Sequence, residues 1–297
     1  MVSKNKVLRF GLAANKFHRS ASDAGLMKWV NEARQDIRSL NIDLYAVGGA
    51  FDSIQTHDHT VLAQMHRAPD GFRGGLMRLV SRVVGGLTKE DELDGVIYFI
   101  DPVDPSSTYP ETQALKRQCV IHGKPFISTI RGAVEWMFIE ASLANKVHAE
   151  RMYSYIQTMS SQTVALVAHD ALKPQMIEFA QKNFELLSQY KNRVGTGTTG
   201  GLLNELAWKK GFPKDQQWVT CYQSGPLGGD AQIAELLLDG ECQKVIFFED
   251  PHVARQHEAD IQLMERAVWS CSDYATCFNS PAMANRWASA IHKSLGL

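Results

Sequence analysis

The sequence predicts an α/β protein made of two tandem three-layer α/β/α domains with mainly parallel sheets. Three observations support this prediction. The chain has 297 residues, which suffices for two domains. Short apolar runs alternate with amphipathic ones, a pattern that implies parallel strands with helices on both faces of a sheet. Several segments also occur twice in the same order, as they do after a tandem duplication.

Four pairs of segments carry the evidence for duplication. The most similar pair is VIYFIDP at 96–102 and VIFFEDP at 245–251. The other pairs are FGLAAN at 10–15 with VALVAH at 164–169, YAVGGAFD at 45–52 with RVGTGTTG at 193–200, and FRGGL at 72–76 with PLGGD at 226–230. The offsets stay near 149–154 residues. We therefore expect one domain over 1–155 and a second over 156–297, joined within 140–162.

The elements of the second copy follow from hydrophobic periodicity. Met176, Phe179, Phe184 and Leu187, for example, fall at helical spacing. In the first copy, VLRFGLAAN near the amino terminus is predicted to be the first strand. Between the copies, ASLANKVHAERMYSYIQTMSSQ at 141–162 is predicted to be a helix with a polar end. In the second copy the predicted strands are 163–169, 191–196, 217–222, 243–248 and 274–278, and the predicted helices are 172–189, 201–210, 230–239, 258–270 and 282–295.

Composition excludes several classes of function. Hydrophobic residues make up 44% and charged residues 21%, as in ordinary globular proteins, and the formal net charge is −1. No overall field therefore recruits nucleic acid or an anionic membrane, and no apolar run approaches membrane-spanning length. The five cysteines form no CxxC pair, which favours buried thiols in a reducing cytoplasm.

Polar clusters follow each predicted strand of the second copy. Ligands of parallel α/β sheets bind at the carboxyl ends of the strands, so these clusters are candidates for one site. In chain order they are His169, Asp170 and Lys173; Thr196, Thr198 and Thr199; Ser224, Gly225 and Asp230; Asp250; and Arg255, His257 and Asp260.

The segment TGTTGG at 196–201 is a candidate anion site. It precedes a helix, whose free N–H groups and positive end favour an anion, and its glycines let a phosphate approach closely. Lys173 supplies a positive charge. A plain turn with a helix cap explains the segment equally well, and it is not a Walker loop, which needs Gly-Lys-Ser/Thr.

Asp230 has two interpretations. It can cap the helix AQIAELLL, since caps are common, or it can be a base aimed into the cleft. The first copy repeats the glycine pair but has Leu76 in place of the acid, which favours the base. His257 and Asp260, three residues apart, can complete a proton-transfer set. A metal site from His169, Asp170, Asp250 and His257 is less consistent with a loop suited to an anion.

The second copy, over about 163–295, resembles the methylglyoxal synthase family. The matching motifs are AHDALK, GTGTTGG, SGPLGGDAQI and IFFEDP, followed by the spaced His257 and Asp260. The resemblance implies a Rossmann-like fold and a lyase that uses no metal and no cofactor. Such a lyase converts dihydroxyacetone phosphate to methylglyoxal and phosphate.

The resemblance also implies roles for individual residues. Asp230 matches the base that removes a carbon-bound proton, and His257 matches the histidine that either polarises the enediolate oxygens or shuttles protons on them. Asp260 and Asp170 match supporting acids, and Asp250 matches the aspartate of an Asp-Pro pair. The residues expected to bind the phosphate group and the rest of the substrate are His169, Lys173, Thr196, Thr198, Thr199, Ser224 and Gly225. Glu249 departs from the apolar residue expected before Asp250.

The first copy keeps the scaffold and loses the chemistry. Leu76, Thr108 and Glu111 stand in place of Asp230, His257 and Asp260, while Gly49 and Ala50 replace Thr198 and Thr199; Asp101 still matches Asp250. This copy is either a packing partner or a site for a regulatory anion. The second possibility would use the positive groups His57, His59, His66, Arg67 and Arg73.

The expected partners are a small phosphate ester and inorganic phosphate, with neither nucleic acid nor membrane. A homo-oligomer is also expected: family members with one domain form hexamers, so three two-domain chains would give a homotrimer. The alternative function is a non-catalytic, phosphometabolite-binding regulatory protein. A nucleotide-dependent oxidoreductase is disfavoured because GxGxxG follows the first strand of neither copy.

Overall fold

The chain forms two α/β units, each built on a five-stranded parallel sheet, which confirms the predicted fold class. The structure is a computed structural model that describes residues 7–252 and 258–295. The side chains of 258–261 and 295 are outside the description. The chain divides into two compact units between Lys146 and Val147.

The first unit contains a sheet of order β3-β2-β1-β4-β5 in which all pairs are parallel. Its elements are β1 (Arg9–Ala14), α1 (Gly25–Leu40), β2 (Asp43–Val47), α2 (Gly48–His57), β3 (Met65–Ala68), α3 (Gly75–Val83), β4 (Gly95–Phe99), α4 (Pro110–Ile121), β5 (Phe126–Ile127) and α5 (Ile130–Leu143).

The second unit repeats this order as β8-β7-β6-β9-β10, again with parallel pairs. Its elements are α6 (Ala149–Met159), β6 (Thr163–Ala168), α7 (Lys173–Lys182), α8 (Phe184–Leu187), β7 (Asn192–Gly195), α9 (Gly197–Lys209), β8 (Thr220–Cys221), α10 (Gly229–Leu238), β9 (Lys244–Phe248), α11 (Glu258–Ser270), β10 (Thr276–Phe278) and α12 (Pro281–Leu295).

The strand order positions the functional edge of each sheet. In the second unit the chain builds outward from β6 to β7 and β8, then crosses to β9 on the other side of β6. The order therefore reverses between β6 and β9, and a crevice forms at their carboxyl ends. All residues of β6 and β9 are buried, as expected for parallel strands that are covered on both faces by helices.

Three helix boundaries differ from the sequence prediction. The predicted helix 172–189 is interrupted at Asn183, whose buried side chain donates to Phe179 O at 2.8 Å and also contacts His292 Nε2 at 2.8 Å. The helix predicted at 201–210 begins earlier, at Gly197. The predicted helix 141–162 is interrupted near Asn145, which adopts a left-handed conformation with φ of 58°.

All five cysteines are free thiols, and Cys119, Cys242 and Cys271 are buried. Burial raises the pKa of the Cys119 and Cys242 thiols to about 12, so both are inert at neutral pH. Among the helices that the structure describes, none has the length and apolar character needed to cross a membrane.

Candidate functional site

A cavity of about 410 Å³ opens at the carboxyl ends of the central strands of the second unit. Its walls come from the end of β6, the loops that follow β7 and β8, and Phe247 of β9. Eight of the residues predicted from the sequence line it: His169, Asp170, Lys173, Thr196, Thr198, Ser224, Gly225 and Asp230. Side chains that lie far apart in sequence are thus brought to one crevice.

The amino-terminal end of α9 forms one wall. Thr196 is its N-cap residue, and the Gly197 N–H donates to Gln223 O at 2.9 Å. The N–H groups of Thr198 and Thr199 follow in the first turn, where no preceding helical carbonyl can accept from them. This end of the helix is therefore suited to a bound anion.

The glycines around this turn make room for close packing. A Cβ on Gly200 would lie 2.7 Å from Cys221 Sγ, and one on Gly197 would lie 3.1 Å from Tyr222 O. Thr199 is not among the residues that line the cavity. Its side chain is 2% exposed, and its Oγ1 has no hydrogen-bond partner in the described part of the chain.

Lys173 supplies the positive charge of the cavity. Its Nζ lies 2.5 Å from Asp170 Oδ1, one turn earlier. The Asp170 side chain is 96% exposed, so water screens this pair and leaves it weak. An anionic ligand could therefore take over part of the Lys173 interaction at little energetic cost.

Asp230 lies in the first turn of α10 and is 8% exposed. The N-cap residue of this helix is Gly228, with φ of 95°, so the N-cap position itself carries no side chain. A Cβ on the next residue, Gly229, would overlap Gln223 O. The glycine pair thus forces a tight entry to the helix, and Asp230 lies in the first turn, after the N-cap position.

Gly225 lies directly beside the Asp230 carboxylate. A Cβ on Gly225 would be 3.1 Å from Asp230 Oδ2, which is closer than such contacts normally come. The carboxylate and the backbone of the Ser224–Gly225 turn therefore share the cavity wall at van der Waals distance. The positive end of α10 also favours the ionised form of an acid in its first turn.

His169 follows β6 and is held in one orientation. Its Nδ1 accepts a hydrogen bond from the Asp250 N–H at 2.8 Å, and its ring packs edge-on against Phe247 at 4.9 Å between centroids. Because Nδ1 accepts, the neutral ring carries its proton on Nε2. Phe247 was not predicted from the sequence, although it belongs to the apolar run VIFF, where a cavity-facing residue is expected.

The remaining predicted residues do not line the cavity in the described structure. Asp250 Oδ1 accepts from the His252 N–H at 2.8 Å, which is a local turn, and among the described residues Asp250 contacts the site through its N–H, which donates to His169. His257 lies outside the described residues. Asp260 belongs to the first turn of α11, and its side chain is likewise outside the description.

Potential metal ligands do not cluster in the described part of the chain. Among the residues of 7–252 and 258–295 whose side chains are described, no three His, Cys, Asp or Glu side chains are grouped so that they could hold a metal ion.

The first unit has the same crevice without the acid. Gly49, Ala50, Leu76 and Glu111 line a cavity there, whereas Thr108 donates to Pro105 O in its own turn. The five positive residues predicted to bind a regulatory anion, His57, His59, His66, Arg67 and Arg73, are not among its lining residues. Arg67 instead pairs with Asp52 at 3.1 Å and Asp70 at 3.0 Å.

Known proteins resemble part of this chain. No protein-family model matches it. The methylglyoxal synthase of Treponema socranskii is 41% identical over 128 residues, which are 43% of this chain and 74% of that protein. The methylglyoxal synthase of Pseudoalteromonas atlantica is 43% identical over 110 residues, which are 36% of this chain and 75% of that protein.

Among solved structures, the methylglyoxal synthase of Elizabethkingia anophelis is 34% identical, with a TM-score of 0.35, and the match covers 43% of this chain and 77% of that one. Since an identity of 41% extends over 74% of the Treponema socranskii protein, the chain belongs to the methylglyoxal synthase family.

Proposed function

We propose that the second unit is a lyase that converts dihydroxyacetone phosphate to methylglyoxal and inorganic phosphate. The observation that carries the proposal is one cavity lined by the buried Asp230, by Lys173 and by the amino-terminal end of α9. A base and an anion site in one small cavity suit a small keto-phosphate. Named relatives of this chain are methylglyoxal synthases, which supports the same reaction.

In the proposed mechanism, Asp230 removes a proton from the hydroxymethyl carbon of the substrate. A carbon acid next to a carbonyl is weak, so the base must be placed close to it and the oxyanion must be stabilised. Asp230 meets the first need because Gly225 lets its carboxylate lie against the cavity wall. The product of this step is an enediolate.

His169 stabilises the oxygen that becomes negative. Its Nδ1 accepts from the Asp250 N–H, so Nε2, which is shielded from solvent, carries the proton of the neutral ring and is the atom proposed to donate. A neutral imidazole held in one tautomer is an effective electrophile because it need not reorganise during the reaction. In this scheme Asp250 is a positioning residue, whereas His257 and Asp260 are expected to transfer protons between oxygens.

Elimination of phosphate completes the reaction. The carbon–oxygen bond to the phosphoryl group breaks, and phosphate leaves with the electron pair. The hydroxyl proton passes to the departing phosphate as the hydroxyl-bearing carbon becomes an aldehyde, and the resulting enolate is protonated on its terminal carbon to give methylglyoxal. Lys173, Thr196, Thr198, Ser224 and the α9 amides hold the phosphoryl group and stabilise its charge as it departs. Thr199 supports this turn from behind the cavity wall.

The test is an assay of the purified full-length chain with dihydroxyacetone phosphate, in which methylglyoxal and phosphate are both quantified. We expect the two products in equal amounts. Binding of the substrate without either product would support the alternative, a non-catalytic phosphometabolite-binding regulatory protein.

The assembly state follows from the same proposal. If two units of one chain replace two subunits of a hexamer, three chains complete it, and we expect a homotrimer. Sedimentation equilibrium should give three times the chain mass. A monomer under assay conditions would contradict this assignment.

The free, partly buried thiols agree with a reducing compartment such as the cytoplasm.

A further inference from the structure

The first unit holds a cavity of about 420 Å³ that the proposed reaction does not use. It opens at the carboxyl ends of β1, β2 and β4, where the second unit has its own cavity. Its lining includes Asn15, Arg19, Leu76, Tyr98 and Glu111. A cavity of this size is in the range of small-molecule sites.

The features suited to phosphate in the second unit are missing here. Gly49 and Ala50 have no hydroxyls where Thr198 and Thr199 stand. In addition, the Asp70 carboxylate lies so close to Gly48, the first residue of α2, that a Cβ there would overlap Asp70 Oδ1. Asp70 in turn pairs with Arg67, whose Nη2 lies 3.0 Å from Asp70 Oδ1, so an ion pair of this chain already stands beside the amino-terminal end of α2.

Two cations line the cavity, the exposed Lys16 and the half-buried Arg19, and Arg19 stands at the place of Lys173. Arg19 Nε donates to Ala14 O at 3.2 Å, which orients the guanidinium group. Its Cζ would be 2.7 Å from a Cβ on Gly49, so the glycine is what makes room for it. The two terminal nitrogens donate to no residue in the described part of the chain. Such a fixed guanidinium matches the two oxygens of a carboxylate.

Negative groups lie on the opposite side of β1. Glu111, half-buried in the first turn of α4, makes no ion pair or hydrogen bond with another described residue. Asp104 Oδ1 accepts from Ser106 Oγ at 2.7 Å. Arg19 lies against α2, which follows β2, whereas Glu111 follows β4; the two strands flank β1 and are about 10 Å apart. The cavity is thus positive at one end and negative at the other.

The rest of the lining is mainly apolar. Val47, Leu76, Met77 and Phe72 contribute side chains to it, and Phe72 and Met77 are otherwise exposed to solvent. The buried Tyr98 hydroxyl receives a hydrogen bond from Asn15 Nδ2 at 3.3 Å, and burial raises the pKa of Tyr98, so it stays neutral. The ligand should therefore combine two opposite charges with an apolar part.

We propose that this cavity binds an apolar α-amino acid as a zwitterion. Its carboxylate pairs with Arg19, its ammonium group faces Glu111, and its side chain packs against Leu76 and Met77. This ligand of no net charge differs from the regulatory anion that the sequence suggested for the first unit. The site belongs to the first unit and does not depend on the activity of the second.

The test is isothermal titration of the full-length chain with the apolar and aromatic amino acids, each in turn, and with inorganic phosphate. We expect one equivalent of at least one amino acid to bind. Arg19→Ala and Glu111→Gln should each weaken that binding tenfold or more, while Arg19→Lys should recover part of it. Phosphate binding should respond to Lys173→Met but not to Arg19→Ala.

Matched variants distinguish binding in this cavity from binding elsewhere on the chain. Arg38→Ala removes an exposed arginine of the same unit that is not part of the lining, and it should leave amino acid binding within twofold of the parent. Thermal melts confirm that each variant folds. Absence of binding by every amino acid would overturn the proposal. It would also be overturned by loss of binding in Lys173→Met, or by equal effects of Arg38→Ala and Arg19→Ala.

Discussion

The backbone N–H of Asp250 donates a hydrogen bond to Nδ1 of His169 at 2.8 Å, across the switch point of the second sheet. The first unit keeps the same bond with another acceptor: the Asp101 N–H donates to Asn15 Oδ1 at 2.9 Å. The bond thus survives in both copies, although only one copy has an imidazole. We infer that the bond serves the fold and that the second ring nitrogen of His169 serves the chemistry.

The two copies allow a direct test of this separation. His169→Asn keeps an acceptor for the Asp250 N–H, as Asn15 does in the first unit, so its free energy of unfolding should stay close to the parent's. It removes the Nε2 donor, so we expect kcat to fall about 100-fold. Chemical denaturation and steady-state kinetics measure the two effects.

His169→Phe is the matched control, because it removes the acceptor as well as the donor. The Asp250 N–H then loses its partner, which should lower the free energy of unfolding by about 1–3 kcal/mol. Equal stability of the two variants would show that the bond has no structural role.

Asp230→Asn should abolish turnover while the chain stays folded. The amide cannot accept the carbon-bound proton, and removal of a placed base lowers rates by at least about 10²–10⁴-fold. Asp239→Asn, an exposed position at the carboxyl end of the same helix, should leave kcat unchanged. Since Leu76 occupies the equivalent place in the first unit, no second activity should remain. Residual activity above one tenth of the parent's would place the base elsewhere.

Much of the fold could be predicted from the sequence because it depends on local hydrophobic patterns. Apolar runs such as VALVA and VIFF predicted the buried strands β6 and β9, and a repeated motif order predicted two sheets of the same topology. The break at Asn183 was not readable, because its side chain contacts His292, which lies 109 residues further along the chain. Hydrophobic spacing carries no information about such a long-range polar contact.

The candidate site could be predicted from the sequence to a similar extent. Its polar residues follow the strands, so their convergence could be predicted from topology alone. Two details were not predicted from the sequence: the Asp250 carboxylate turns back to its own loop, and Arg19 lines the first cavity. The second could have been found by applying the 154-residue offset to Lys173. The sequence instead suggested Arg67 among the positive residues of the first copy. That residue is neutralised by Asp52 and Asp70.

Lys173→Met should raise KM for dihydroxyacetone phosphate tenfold or more. The variant keeps the aliphatic part of the side chain and removes the charge that attracts the phosphoryl group. Lys182→Met is the control on the same helix: Lys182 pairs with exposed Glu178 at 2.7 Å, a contact that water screens. Its KM should match the parent's. Similar KM values for both variants would mean that Lys173 does not hold the phosphoryl group.

Gly225→Ala should impair catalysis without unfolding the chain. The new methyl group would lie 3.1 Å from Asp230 Oδ2, so the carboxylate must shift by a few tenths of an ångström. Small displacements of a catalytic group lower the rate strongly, and we expect kcat to fall about tenfold. Gly201→Ala is the control, because a Cβ there meets no atom within 4 Å in the described structure. As a replacement inside α9, it should raise the free energy of unfolding by about 0.5–1 kcal/mol and leave kcat unchanged. Parent-like kcat in Gly225→Ala would indicate that the position of Asp230 against this turn does not limit the reaction.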